Sequence, residues 1–163
     1  MERNEIIEML SHGVKKTPVK VYIKCQEKLN FNHCHSFGEK DQVVFGDYEE
    51  IAPILNKHQS IIEDMVIEPI ARNSSIGLMN LVSLNARIEA GAILREHVII
   101  GEQVIIMMGA IINIGASIND QTMIDMGAII GGCAQIGKRC HIGAGAVIAG
   151  VIEPASAQPV VIE

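Results

Sequence analysis

The sequence has no tryptophan and only five aromatic residues, and none of the five lies beyond Tyr48. A chain of 163 residues is long enough for one or two small domains with a real core. Any core in its later part must therefore be built from aliphatic side chains. Positive charge is scarce as well: 13 Lys and Arg stand against 19 Asp and Glu, a net charge of −6. Nucleic acid as the main partner is disfavoured, because phosphate binding wants a basic face. No long apolar run exists. The longest stretch, Val104 to Ile118, is interrupted by Asn113 and falls short of the roughly 18–20 residues that a spanning helix needs. The charged start Met-Glu-Arg-Asn-Glu carries no apolar core of a secretory leader. No CxxC pair occurs among Cys25, Cys34, Cys133 and Cys140, which read as free thiols in a reducing compartment. His33-Cys34-His35 is no metal site: adjacent residues of an extended chain point to opposite sides, and no second ligand pair stands at zinc spacing.

What is present divides into two compositions. The aromatics Tyr22, Phe31, Phe37, Phe45 and Tyr48 all precede residue 49, whereas 11 of the 15 glycines and 17 isoleucines lie between residues 88 and 153. This predicts two structural units, 1–85 and 86–163. The first reads as a small α+β domain. Helical spacing over Glu5 to Leu10, with Asn4 as N-cap and Gly13 as terminator, predicts a helix. Alternation over Val19 to Ile23 predicts a strand, as does Val43-Val44-Phe45. Residues 24–41 read as a loop. Asp47 is placed as the cap of a helix through His58 with Tyr48, Ile51, Ile54 and Leu55 on one face. Residues 60–82 are expected to be helical in part.

The second unit carries a strict period. An aliphatic residue recurs every six positions from Ile88 through Leu94, Ile100 and onward to Ile148, eleven hexads without an insertion. Four residues after each stands a small or β-branched residue, such as Ala92, Val98, Ala110, Thr122 or Ala134. The residue directly after the aliphatic is Gly, Asn or Asp in seven of the eleven hexads, among them Asn113, Asp125 and Gly131, which reads as a corner taken at positive φ. Period six does not hold one face of a 3.6-residue helix. It describes one short strand and one turn per hexad, stacked as a parallel β-helix with coils about 4.8 Å apart. After Glu153 the register breaks at Pro154-Ala155-Ser156-Ala157-Gln158-Pro159 and restarts at Val160 to Glu163, with Ile162 in the inward position. Because a repeat array wants a cap on its last coil, the β-helix is expected to be incomplete at the C-terminus, and the 163-residue chain to have little activity alone.

The pattern resembles the hexapeptide-repeat acyltransferase superfamily. That resemblance, not the sequence itself, implies a left-handed β-helix with three hexads per coil. Gly91 to Arg95, Asn113-Ile114-Gly115-Ala116, Thr122-Met123-Ile124-Asp125, Gly132 to Lys138 and Gly150 to Pro154 are similar to tetrahydrodipicolinate N-acyltransferases of the diaminopimelate and lysine pathway. Thr17 to Tyr22, Val43 to Gly46, Ile62-Glu63-Asp64 and Arg72-Asn73-Ser74 resemble the N-acetyltransferase branch. The implied reaction is acetyl transfer from acetyl-CoA, as co-substrate and without a metal, to ring-opened tetrahydrodipicolinate. The implied partners are this small molecule and two further copies in a homotrimer, in the cytoplasm, with no membrane and no nucleic acid.

The same resemblance implies that Asp125 is a catalytic acid near the substrate amine and that Arg87 binds a substrate carboxylate. His141 resembles the catalytic histidine of other hexapeptide acetyltransferases. The stacking period adds an address independent of those roles: with the three hexads per coil that the resemblance implies, positions 87, 105, 123 and 141 form one column and 107, 125 and 143 another. Arg87, Asp125 and His141 then share one edge of the prism, with Arg87 and Asp125 two coils, roughly 10 Å, apart. Alternatives are succinyl as the transferred group, an O-acetyltransferase with His141 as base, and a β-helix that serves only assembly.

Overall fold

The computed structural model describes residues 3–154 and 157–163 of the chain. Contacts divide it into two compact units, Val14–Ser75 and a second made of Met1–Gly13 with Ile76–Glu163.

The Val14–Ser75 unit is a four-stranded antiparallel sheet with one helix. Its strands are β1 (Pro18–Cys25), β2 (His35–Gly38), β3 (Asp41–Asp47) and β4 (Ile62–Pro69), in the order β2-β3-β1-β4. Alternation on β1 buries Val19, Val21, Ile23 and Cys25. These pack with Val44 of β3 and with Ile51 and Leu55 of the helix α2 (Tyr48–Lys57). Asp47 caps α2 as expected: its side chain accepts from Glu49 N–H, and Thr17 N–H also donates to it at 2.9 Å. Buried Gln42 closes the loop before β2, accepting from Leu29 N–H at 2.8 Å and donating to Leu29 C=O at 2.9 Å.

Two expectations fail here. Residues 60–82 are not a helix: after a 3-10 turn at Gln59–Ile61 the chain forms the edge strand β4, paired along β1. Only Ile62 and Ile67 of β4 pack on the core, so the strand shows no clean alternation in the sequence. The span 24–41 is not all loop, because β2 pairs with β3 inside it.

The other unit is the parallel β-helix. Two-residue strands stack on three faces, and each face recurs after three hexads. The first face holds Arg87–Ile88, Ile105–Ile106, Met123–Ile124 and His141–Ile142. The second holds Ile93–Leu94, Ile111–Ile112, Ile129–Ile130 and Val147–Ile148. The third holds Ile99–Ile100, Ser117–Ile118, Gln135–Ile136 and Val161–Ile162. The second residue of each strand points inward with the small residue four positions later, which gives a core without rings from Leu94 to Ile142. Ile162 resumes the inward position after Ile148 across a segment longer than one hexad, and pairs with Ile136 on the third face. Of the segment that intervenes, Ala155 and Ser156 lie outside the described residues.

The corners differ from expectation. Positive φ falls not on the residue after the inward aliphatic but two further on, at ten successive hexads from Gly91 to Gly145. Five of these are not glycine: His97, Gln103, Gln121, Cys133 and Arg139. The residue after the aliphatic is the first of a β-turn, and its carbonyl accepts from the residue three along, as in Ala128 N–H to Asp125 at 3.2 Å. Left-handed backbone belongs at the third residue of such a turn. Asn and Asp fit the first position because their side chains accept from the next N–H, Ile114 to Asn113 at 2.9 Å and Met126 to Asp125 at 2.8 Å. Gly131 fits it because a Cβ there would come 2.0 Å from Gly150 N.

Helix α1 (Arg3–His12) contains Asn4, which is therefore not its cap, and ends where Gly13 N–H donates to Met9 C=O. Its Ile6 is buried against Ile76, Ile114 and Cys133 of the β-helix, at a corner where a Cβ on Gly115 would strike Ile6 at 2.5 Å. All four cysteines are free thiols. No helix among the described residues is long and apolar enough to cross a membrane.

Candidate active site

The register places Arg87, Ile105, Met123 and His141 in one outward column of the first face. Asp125 stands at the adjoining corner, where the chain leaves this face. The turn fixes its carboxylate: Oδ1 accepts from Met126 N–H at 2.8 Å, and Oδ2 lies 3.4 Å from His141 Nε2. The Asp125 side chain is 23% exposed and that of His141 61%, so the pair faces solvent from a half-sheltered carboxylate. These two residues, distant in sequence, meet because three hexads close one coil and bring the chain back to the same edge.

Arg87 lies on the same edge but joins neither of them. Its Nε is 3.3 Å from Glu89 Oε1, and its Nη2 is 3.3 Å from Met107 Sδ. Glu89, the partner of Arg87, was not singled out in the sequence. It occupies the same hexad position as Asp125, two coils earlier, so two carboxylates stand in one column with Met107 between them, roughly 10 Å apart. The resemblance singled out Asp125, and the period then suffices to set Glu89 in its column.

The edge thus offers an acceptor for a proton, an imidazole beside it, and a guanidinium two coils away that an anionic ligand could draw from Glu89. Another corner carries a separate polar ladder. There Lys138 Nζ lies 2.8 Å from Asp120 Oδ2, while Oδ1 accepts from Glu102 N–H at 3.0 Å. The Lys138 ammonium first, then the Glu102 amide, hold the Asp120 carboxyl below its ordinary range. Among the described residues no buried side-chain nitrogen or oxygen is left without a partner, those of this ladder included. Among the described residues no group of three His, Cys, Asp or Glu is arranged to hold a metal ion.

A three-faced coil of six-residue strands is a hexapeptide-repeat fold, and residues 115–150 match the model of the bacterial transferase hexapeptide repeat. Residues 1–81 match the model described as the tetrahydrodipicolinate succinyltransferase N-terminal region. The chain is 51% identical, over its whole length and 70% of the relative, to 2,3,4,5-tetrahydropyridine-2,6-dicarboxylate N-acetyltransferase of Bacillus subtilis (strain 168). Proteins of the same name from Thermotoga petrophila and Thermotoga sp. (strain RQ2) are each 58% identical over the whole chain and 71% of their own length. The chain belongs to the tetrahydrodipicolinate N-acetyltransferase family.

Proposed function

We infer that the protein transfers the acetyl group of acetyl-CoA to the amino group of ring-opened tetrahydrodipicolinate, a step of diaminopimelate and lysine biosynthesis. The observation that carries this reading is the identity of 51–58% along the whole chain with relatives that bear that activity as their name. The amine nitrogen forms a bond to the thioester carbonyl carbon, the C–S bond breaks, and the amine proton must leave as the thiolate of CoA takes one up. Asp125 Oδ2 receives the amine proton in this reading, which is supported by Oδ1 already accepting from the Met126 N–H. His141 beside it can hold that oxygen in position or pass the proton to solvent. Arg87 is the cation for a substrate carboxylate, which would displace Glu89. No metal and no covalent intermediate is needed.

Self-association as a homotrimer is supported by the second face, whose outward column is wholly aliphatic. Ile93, Ile111, Ile129 and Val147 are 45%, 39%, 39% and 68% exposed, a stripe of the kind that monomers seldom leave open. Asp125 stands at the corner between this face and the first, so a site there would lie at a subunit boundary. The net charge of −6 argues against a nucleic-acid partner, and a cytoplasmic location fits four unpaired thiols.

The test supplies the whole protein with tetrahydrodipicolinate and either acetyl-CoA or succinyl-CoA and follows thiol release. Acetyl-CoA should be the faster donor, and Asp125→Asn should lower kcat by about 10²–10⁴-fold. Preference for succinyl-CoA would overturn the choice of donor. Loss with His141→Ala but not with Asp125→Asn would instead favour an O-acetyltransferase with a histidine base.

A further inference from the structure

The sheet of the α+β unit is covered on one side only. Helix α2 and the cluster around Val21, Val44 and Ile51 take one face. The other face is not polar. Its registers set Phe37 opposite Val43, Val43 opposite Tyr22, and Tyr22 opposite Val66, an apolar row across all four strands. Phe37 is 64% exposed, Val66 54% and Tyr22 39%. Phe45, two residues along β3 from Val43, meets Phe37 edge-on with 6.2 Å between ring centroids. Three of the chain's five aromatics therefore stand on the open side of one small sheet, where burial of a ring would normally be expected.

The charges beside this row select the partner. On one side of it lie His35, Phe45, Lys20 and Glu68, opposite one another from β2 to β4. On the other side lie Asp41, Lys24 and Asp64. A two-fold axis parallel to the strands, between β1 and β3, exchanges β1 with β3 and β2 with β4 and keeps each row level. It sets Lys24 on Asp41, Lys20 on the ring of Phe45, and Glu68 on His35. Within the apolar row it lays Tyr22 on Val43 and Val66 on Phe37. Each of these pairs is complementary and occurs twice, as a contact of one surface with itself demands; Asp64 alone meets a like charge, Glu39 beyond the end of β2, whose carboxylate Lys28 holds at 2.8 Å within its own chain. The other in-plane axis, along the apolar row, sets Lys20 against Lys24 and Glu68 against Asp64, and is excluded by like charges. Packed sheets lie about 10 Å apart and cross at about 30°. The β1–β3 pairs sit about half a strand spacing, roughly 2.4 Å, from the axis, so the crossing displaces them least.

We propose that this open sheet face docks on the same face of a second copy of the chain, about a two-fold axis parallel to the strands between β1 and β3. This association is separate from any contact through the β-helix and multiplies its stoichiometry by two.

The test is sedimentation equilibrium on the whole protein with Lys24→Asp, with Asp41→Lys, and with both together. Each single change places like charges together and should halve the mass of the wild type. The double swap restores opposite charges and should restore the mass. Both residues are exposed, and unchanged circular dichroism of the variants checks that the unit still folds. The same set is measured in an Ile129→Lys background, which disturbs only the second face of the β-helix and should leave the factor of two in place. Equal masses for wild type and both single variants would overturn the proposal, as would a double swap that stays at half mass.

Discussion

The two units of this chain solve the problem of a small core in opposite ways. The β-helix repeats one environment, so that Ile106, Ile112, Ile118, Ile124, Ile130 and Ile136 are all fully buried in equivalent places. The α+β unit has no two equivalent positions, and of its five aromatics only Phe31 is buried. A coil is held by the coils above and below it, and a small sheet by one helix. The difference predicts how each responds when a part is removed.

The largest effect should come from Ile124→Ala. The cavity lies between coils whose backbones are hydrogen-bonded on both sides, so it cannot collapse, and the loss should reach about 4 kcal/mol. Ile51→Ala, on a helix that can shift toward the sheet, should cost less, about 3 kcal/mol. Chemical denaturation of both variants checks the order, and a larger loss at Ile51 breaks the comparison.

Gly131→Ala comes next. The new methyl meets the backbone of Gly150 at 2.0 Å, and the thermal midpoint should fall by an amount equivalent to about 3 kcal/mol. Gly127→Ala is the contrast: it has open space but a φ of +65°, so only the left-handed strain remains, about 1 kcal/mol.

Among the described residues each unit buries one uncharged polar side chain that ties down backbone, and these should be equal where the cores are not. Thr122 Oγ1 donates to Gly137 C=O at 2.7 Å and accepts from Cys140 N–H at 3.0 Å. Gln42 does the same for both polar groups of Leu29. Thr122→Val and Gln42→Leu each strand two backbone groups, at about 2 kcal/mol apiece in denaturant.

The smallest effect is one of pH. Asp120 has its folded pKa depressed below the unfolded value, so its contribution to stability is present above that unfolded value, in the ordinary carboxylate range, and is lost as pH falls through the depressed one. Lys138→Gln should raise the Asp120 titration point in a carbon-detected NMR titration. No movement would show that the amide of Glu102, not the ammonium, sets it.

Much of this was legible because a repeat writes its geometry many times over. The inward positions follow from period six, and the edge that joins Asp125 to His141 follows once the family resemblance supplies three hexads per coil. The left-handed corners were misplaced by two residues, since Gly, Asn and Asp favour both the first and the third position of a turn and half of the left-handed corners carry none of the three. Strand β4 hid because an edge strand with two inward contacts has no alternation to read.

The sequence by itself determined the β-helix and its inward positions, since these depend only on spacing along the chain; three hexads per coil, and with them the edge on which Asp125 and His141 meet, came from the family resemblance and are seen in the strand pairing. Tertiary structure alone decided that α1 packs through Ile6 on the β-helix, that Arg87 is held by Glu89, and that four of the five aromatics of the first unit are exposed while Phe31 is buried. Those contacts depend on side chains brought together once, at a single place, and nothing periodic announces them.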